Sequence, residues 1–266
     1  MSLNRTVISI EHVDAYYGDR QVLFDINLEV EQGEIMVIMG GSGSGKSTLL
    51  KHLLALKQPS SGRVSIDGHD LSNISNKELK QLRTKMGVAF QGGALLSSLS
   101  VGENIRLPLE HNSKLDRQTI GIMMRMKLEL MSLAGFENLM PAELSGGMLK
   151  RAGLARAVIM DPKILFFDEP SAGLDPVTSV ELDELILKLR TAMNMTMVIV
   201  THELESAFKI ADRIMLLFDG KVATVGTVEE IKNSPDPRIQ NLINRRPRDE
   251  ELDGDAYLKR LVTGEK

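Results

Sequence analysis

Two patterns of apolar residues organise the chain into strands. Apolar and polar residues alternate over residues 7–17 and 21–30, around Gly18-Asp19, which predicts neighbouring strands of an antiparallel sheet. Uninterrupted apolar runs predict buried strands at residues 34–39, 86–90, 164–169 and 197–200. A further strand is expected at residues 63–67, and residues 213–219 and 221–225 predict a hairpin around Asp219-Gly220.

Helical patterns occupy the segments between these strands. Helices are predicted at residues 46–56, 77–83, 149–160 and 177–193, and Pro176 suits the first turn of the last one. No convincing strand pattern occurs between residues 101 and 160, where residues 115–134 repeat apolar positions with helical spacing. Methionines are frequent there, which indicates a methionine-filled helical core, with an adaptable docking surface as the alternative. The pattern therefore predicts an α/β chain with a helical segment inserted.

Composition narrows the class of protein. The length of 266 residues fits one large domain or one domain with an inserted lobe, and a net charge of −4 gives no support to a nucleic-acid partner. There is no cysteine, so disulfides and cysteine-based metal sites are excluded. The first residues lack the apolar segment of a signal peptide, and no apolar run approaches the roughly 18 residues of a membrane helix. We expect a soluble chain that could dock on a membrane partner.

The chain beyond residue 227 changes character. Thr227 is expected to cap a short helix through residue 232. Residues 234–238 and 245–251 are rich in proline and charge, which predicts a tail that is either solvated or ordered by a partner.

The strongest motif is the segment GGSGSGKST at residues 40–48, here called the phosphate loop. It matches the template G-x-x-x-x-G-K-[ST], between a predicted strand and a predicted helix. Glycines alternating with small serines leave backbone N–H groups open to phosphate, and the following helix start favours anions. The residues concerned are Gly40, Gly41, Ser42, Gly43, Ser44, Gly45, Lys46, Ser47 and Thr48. Lys46 should reach the β and γ phosphates and Ser47 should ligate Mg²⁺; the alternative is a glycine-rich turn before a helix.

Polar residues stand where predicted strands end. Asp168 and Glu169 follow one buried strand and His202 follows another, which would place them beside the phosphate loop, with Asp168 suited to Mg²⁺ and Glu169 within reach of an attacking water. An acidic turn and a structural histidine are the alternatives. Gln91 follows a further strand, and a surface role is its ordinary interpretation.

Two further features could contact a nucleotide. Tyr17, upstream of the phosphate loop, could stack on a purine, although packing is an equally good interpretation. Ser145, Gly146 and Gly147, here called the SGG segment, precede a predicted helix and resemble a second anion site in kind.

The order of these features resembles the ABC ATPases over nearly the whole chain to about residue 226. The carrying motifs are the phosphate loop, Gln91, LSGGM at residues 144–148, the carboxylate pair, GLDP at residues 173–176 and His202. The resemblance implies a P-loop NTPase fold with a mixed central sheet, an antiparallel N-terminal β subdomain and an inserted all-helical subdomain. It implies a nucleotide-binding core over residues 1–90 and 157–228, a helical subdomain over 91–156 and a partner-ordered tail over 229–266.

The same resemblance implies roles in ATP hydrolysis. Tyr17 would stack on adenine, Gln91 would contact Mg²⁺ or water and couple to a membrane partner, and Asp168 would hold Mg²⁺ through a water. Glu169 would be the general base, His202 would contact the γ-phosphate, and Asp175 would lie in a loop that crosses a dimer. The SGG segment would bind the γ-phosphate held on another subunit, so a second copy of the chain is required.

A narrower resemblance is to the ATPase subunits of Mla-type, MCE-linked phospholipid transporters. It is carried by FQGGAL at residues 90–95, PAELSGGMLKR at residues 141–151 and SPDPR at residues 234–238. It implies movement of glycerophospholipids between the membranes of a Gram-negative envelope, at the cytoplasmic face of the inner membrane. Implied partners are an integral membrane permease, whose coupling helix residues 92–100 would receive, a periplasmic MCE-domain ring and a small STAS-domain subunit.

Two other functions compete with this one. An import ATPase for a small polar solute would keep the chemistry and change the cargo. A soluble ABC clamp acting on DNA or ribosomes would require tandem cassettes, a long coiled coil or a basic surface, and the sequence has none of these patterns.

Overall fold

The strand patterns become two sheets in a computed structural model that describes residues 5–246. In chain order the strands are β1 (Thr6–Tyr17), β2 (Arg20–Glu31), β3 (Ile35–Met39), β4 (Ser61–Ile66), β5 (His69–Asp70), β6 (Met86–Ala89), β7 (Ile164–Asp168), β8 (Thr196–Thr201), β9 (Arg213–Phe218) and β10 (Lys221–Thr227). The first sheet has the antiparallel order β2-β1-β4-β5, and the second has the order β10-β9-β3-β8-β7-β6.

The six-stranded sheet is mixed because β10, the last of its strands along the chain, runs opposite to the other five. Strands β6, β7, β8, β3 and β9 run parallel, and β10 pairs antiparallel with β9 as the predicted hairpin. Every residue of β3 and β8 is buried, as expected for parallel strands covered on both faces. The carboxyl ends of β3, β7 and β8 therefore meet at one edge of the sheet.

The described residues contain nine helices, seven between strands and two after β10. They are α1 (Lys46–Leu53), α2 (Asn76–Thr84), α3 (Val101–Asn112), α4 (Arg117–Leu130), α5 (Gly146–Ala157), α6 (Pro176–Met193), α7 (Leu204–Ile210), α8 (Val228–Lys232) and α9 (Pro237–Ile243). One core cluster joins Leu49, Leu50 and Leu53 of α1 to inward residues of both sheets, so α1 lies between them. Burial of such leucines contributes about 1.5–3 kcal/mol each.

The helical segment lies between β6 and β7, as the pattern predicts. It contains α3, α4, a short 3-10 turn at Pro141–Glu143 and α5, and these three helices contact one another. Met124 and Met131 are buried there, whereas Met126 is 63% exposed, so the methionines divide between core and surface. The α/β class with a mixed sheet, an antiparallel N-terminal sheet and an inserted helical segment is confirmed.

The chain divides into two compact units, residues 1–228 and 229–266. In the second unit, Asp236 caps α9 and Pro237 occupies its first turn, so a helix forms in a stretch whose composition predicted none. Gln240 Nε2 donates to the carbonyl oxygens of Lys232 and Ser234, at 3.0 and 2.8 Å. Most of the predicted charge-rich run at 245–251, like the first four residues, lies outside the described residues.

Candidate nucleotide site

The phosphate loop turns between β3 and α1. Gly45 precedes α1 with a φ of 103°, a conformation that L side chains rarely adopt, and a Cβ there would lie 2.6 Å from Leu23 Cδ2. Glycine is therefore required where the backbone enters the helix. The first backbone N–H groups of α1 belong to the phosphate loop, and such a helix start is the arrangement that binds phosphate.

The Lys46 side chain bonds back to the start of the phosphate loop. Its ammonium donates to the carbonyl oxygens of Gly40 and Gly41, at 2.8 and 3.0 Å, and the side chain is buried. Burial lowers the pKa of Lys46, while the nearby charges of Glu169 and Asp168 act in the opposite direction. The structure thus brings the loop lysine and both strand-end carboxylates into one electrostatic environment.

Glu169 and His202 meet at the ends of two adjacent parallel strands. The Glu169 N–H donates to the Val200 carbonyl oxygen at 2.8 Å, which continues the pairing of β7 with β8. His202 Nδ1 lies 2.8 Å from Glu169 Oε2, and the His202 backbone N–H donates to the same oxygen at 3.2 Å. Glu169 has a φ of 50°, uncommon for a non-glycine residue and often found at functional sites.

Two observations indicate that the site suits a phosphate ligand accompanied by a cation. Burial and the charge of Glu169 raise the pKa of Asp168, so a cation would favour its ionised form. Ser44 Oγ is buried in the phosphate loop and has no hydrogen-bond partner among the described residues. Residues 5–246 contain no cluster of three histidine, cysteine or acidic residues able to hold a metal alone. Mg²⁺ commonly binds through one or two carboxylates together with substrate phosphates, and Asp168 and Ser47 fit that arrangement.

Tyr17 ends β1 beside the helix that follows the phosphate loop. A hydrogen bond with the Thr48 side chain, aided by the charges of Lys51 and Lys57, lowers the pKa of Tyr17 against a smaller opposing effect of burial. The Lys57 ammonium lies 3.6 Å from the centroid of the Tyr17 ring. Because the tyrosine is 45% exposed, its ring remains available for stacking.

The SGG segment does not join this cluster. Ser145 Oγ accepts a hydrogen bond from the Met148 N–H at 3.3 Å, so the serine caps α5. Gly146 and Gly147 are the first residues of the helix, which begins three residues earlier than residue 149, where the pattern predicted it. Along the described chain, no hydrogen bond links the SGG segment to the phosphate loop. Asp175 likewise lies apart and caps α6, accepting from the Val177 and Thr178 N–H groups.

Gln91 is exposed beyond β6, and no hydrogen bond joins its side chain to the cluster in residues 5–246. The backbone just after it is fixed to α5. Arg156 Nη2 donates to the Gly93 carbonyl oxygen at 3.0 Å, and a Cβ on Gly153 would lie 2.7 Å from Gly93 Cα. The absence of a side chain at Gly153 therefore permits backbone-to-backbone contact.

Sequence reasoning missed two residues that organise the surroundings of the site. Asn104 is fully buried and its side chain makes four hydrogen bonds to backbone atoms of residues 96–100. Lys150 donates from α5 to carbonyl oxygens of the segment after Glu169. The signal for Asn104 was a polar residue on an apolar helix face, and no spacing rule points to Lys150.

Comparison with known proteins agrees with this geometry. A family model described as ABC transporter matches residues 23–172. The chain is 40% identical to "Intermembrane phospholipid transport system ATP-binding protein MlaF" of Haemophilus influenzae, with 89% of this chain and 90% of that protein covered. It is 39% identical to "Probable ribonucleotide transport ATP-binding protein mkl" of Mycobacterium tuberculosis, with 90% of this chain and 67% of that protein covered.

A solved structure extends the likeness to the fold. "Dimeric structure of a post-hydrolysis state of the ATP-binding cassette MJ0796 bound to ADP and Pi" superposes with a TM-score of 0.76 at 32% identity, covering 83% of this chain and 98% of that one. No helix in residues 5–246 is long and apolar enough to cross a membrane. The chain belongs to the ABC transporter family, as one of its ATP-hydrolysing members.

Proposed function

We propose that this chain is the motor subunit of a transporter that moves glycerophospholipids between the inner and outer membranes of a Gram-negative envelope. The convergence of Lys46, Asp168, Glu169 and His202 at one sheet edge carries the ATPase part of the proposal. The 40% identity with MlaF over nine-tenths of both chains supports the phospholipid cargo.

The phosphate loop holds the triphosphate. Its backbone N–H groups and Lys46 bind the phosphates, which would draw the lysine ammonium from the carbonyl oxygens of Gly40 and Gly41. Tyr17 stacks on adenine with the ring face that Lys57 leaves open. Ser47, Gln91 and, through a water, Asp168 would hold Mg²⁺, which when bound would neutralise charge on the β and γ phosphates.

Hydrolysis follows from the hydrogen-bonded pair at the strand ends. Glu169 accepts a proton from the attacking water while the water oxygen bonds to the γ-phosphorus. The bond from that phosphorus to the β–γ bridging oxygen breaks, and ADP leaves. His202 orients the Glu169 carboxylate through Oε2, and its Nε2, 3.5 Å from Glu203 Oε1, is the ring nitrogen that remains for the γ-phosphate. A positioned base of this kind contributes about 10²- to 10⁴-fold.

A second copy of the chain completes the site. Within residues 5–246, no hydrogen bond joins the SGG segment to the phosphate loop of its own chain, and its helix start suits a phosphate. Head-to-tail pairing places the SGG segment of one copy over the nucleotide of the other, and two-fold symmetry produces two such sites. Asp175 lies in the loop between them. The solved MJ0796 cassette, a dimer bound to ADP and Pi, supports this arrangement.

The membrane partners follow from the same proposal. An integral membrane permease contacts residues 92–100, the segment that Asn104 holds in shape. A periplasmic MCE-domain ring and a small STAS-domain subunit complete the transporter. The chain itself then lies at the cytoplasmic face of the inner membrane.

A second cargo is favoured by one observation. The mycobacterial relative, at 39% identity, is named for ribonucleotide transport, which corresponds to a small polar solute. The MlaF relative is matched over 90% of its length against 67% for the mycobacterial one, and this fuller coverage supports the phospholipid.

One reconstitution separates the two cargoes. The chain is purified with its permease, placed in vesicles, and supplied with ATP and either labelled phospholipid on one side of the membrane or labelled ribonucleotide. We expect ATP-dependent movement of phospholipid that the Glu169→Gln complex fails to perform. Movement of ribonucleotide without phospholipid would assign the chain to the second cargo, and movement of neither would reject both.

A further inference from the structure

Lys150 joins the helix of the SGG segment to the backbone that carries Glu169. From the second turn of α5, its ammonium donates to the carbonyl oxygens of Pro170 at 2.6 Å and Ala172 at 2.5 Å. Burial lowers the pKa of Lys150, and the charge of Glu169 opposes that effect. The two accepting carbonyl groups are about twenty residues from Lys150 in the sequence. They belong to the segment directly after the proposed base.

Among the described residues, the segment after Glu169 has few other polar anchors. Its internal hydrogen bonds run from the Ala172 N–H to the Glu169 carbonyl oxygen, at 3.3 Å, and from the Leu174 N–H to the Ser171 carbonyl oxygen, at 3.1 Å. Ser171 Oγ is buried and has no partner within the described chain. Two carbonyl oxygens of this turn point at one ammonium, whose several N–H donors can serve both.

From this geometry we propose that Lys150 is a positioning residue for hydrolysis. It holds the turn at residues 170–172 and thereby fixes where the Glu169 carboxylate stands relative to the attacking water, within its own subunit. The inference rests on the proposed role of Glu169 as the base. Lys150 acts through this turn and not by contact with the reacting atoms.

The homodimeric protein gives the first test. Lys150→Met keeps the length of the side chain and removes the donors, and we expect kcat to fall about tenfold or more with KM for ATP unchanged, because small displacements of a catalytic group are costly. Lys150→Arg retains N–H donors and should recover most of the loss. A matched control is Glu181→Gln, which breaks the 2.6 Å ion pair from Arg151 of α5 to α6 and leaves the turn untouched.

Mixed dimers test whether Lys150 acts on its own subunit. Each contains one Glu169→Gln copy, so a single base remains. The cis dimer carries Lys150→Met and Glu169→Gln on the same copy, so the copy that keeps Glu169 is otherwise unmodified. We expect it to hydrolyse ATP at the rate of the reference dimer, which contains Glu169→Gln alone. In the trans dimer Lys150→Met is on the copy that keeps Glu169, and we expect the rate to fall about tenfold below the reference.

The outcomes separate this inference from the proposed function. Equal rates in the cis and trans dimers, or loss in the cis dimer alone, would overturn it, as would a Lys150→Met homodimer with unchanged kcat. If the Glu169→Gln homodimer hydrolyses ATP at the unmodified rate, the assignment of the base fails instead, whatever Lys150 does.

Discussion

His202 Nδ1 and Glu169 Oε2 lie 2.8 Å apart at the ends of two neighbouring parallel strands. The carboxylate accepts from both the ring and the backbone N–H of His202, so its Oε2 is held from two directions. The His202 contacts involve Oε2, so in the proposed reaction Oε1 is the oxygen that takes a proton from water. The proposal thus gives the two oxygens of Glu169 different roles.

Replacing Glu169 tests its proposed role as the base. We expect Glu169→Gln to lower kcat by about 10²- to 10⁴-fold, because the amide cannot take a proton, while ATP binding and ATP-dependent dimer formation persist. Phosphate release measures kcat, and light scattering measures ATP-dependent dimer formation. Glu129→Gln, on the exposed surface of α4, is the control and should keep both. Turnover near the unmodified rate would remove Glu169 from the reaction.

Tyr17 offers a test of base stacking. Tyr17→Ala should weaken ATP binding by roughly 5- to 150-fold, the range that corresponds to a stacking contribution of about 1–3 kcal/mol. Tyr17→Trp should retain the affinity. Tyr16→Ala removes a tyrosine of similar exposure whose hydroxyl bonds Gln21, and it should leave the binding constant nearly unchanged. Similar losses at both positions, measured by nucleotide titration, would argue against stacking at Tyr17.

His52 predicts a dependence of stability on pH. The side chain is buried in α1, with Nδ1 2.8 Å from the Lys57 carbonyl oxygen and Nε2 unpartnered among residues 5–246. Burial lowers the pKa of His52, so the unfolded chain binds a proton more readily than the native one. The stability that depends on neutral His52 should therefore be fully present above about pH 6.5, the pKa of histidine in the unfolded chain. It should be lost as the pH falls towards the lower pKa of the folded protein.

Urea unfolding at several pH values measures this loss. His52→Asn keeps a donor near the position of Nδ1 and cannot titrate, so its stability should fall less between about pH 7 and pH 5, two working values that bracket the unfolded pKa of about 6.5. His111→Asn, on the exposed surface of α3, is the control and should follow the unmodified protein. An unchanged pH profile in His52→Asn would exclude His52 as the titrating group.

Two helical glycines predict opposite effects of the same substitution. Gly153→Ala places a methyl group 2.7 Å from backbone atoms of Gly93, and such overpacking costs about 1–3 kcal/mol. Gly121→Ala, in α4, meets only Arg125 Nη1, at 3.8 Å, among the described residues and should stabilise by up to about 1 kcal/mol through helix propensity. The free energy of unfolding by urea distinguishes them. Equal effects would contradict the close approach of the two backbones.

The sequence predicted the parts of the fold that depend on local patterns. Apolar runs located β3, β7 and β8. Because parallel strands end at a common edge, the positions of Glu169 and His202 at strand ends predicted that the two residues lie close together. Helix α3 was not predicted as an element, although Ser100 and Glu103 form a capping box at its start. A proline within that helix, Pro108, obscured the pattern.

Contacts that join distant segments could not be predicted. The hydrogen bonds of Lys150 go to backbone carbonyl oxygens, which every residue possesses, so no residue type in the sequence identifies the partner. The same holds for Arg156 and the Gly93 carbonyl oxygen. The ion pair between Arg151 and Glu181 likewise depends on the relative placement of α5 and α6, which tertiary packing decides.

The contact between Gly93 and Gly153 has a mechanical consequence. Backbone meets backbone there without a flexible side chain that could yield, so the junction is stiff under compression. A displacement of residues 92–100 at Gly93 would therefore press directly on α5, and Lys150 connects that helix to the turn after Glu169. Larger side chains at either glycine would replace this rigid junction with a compliant one.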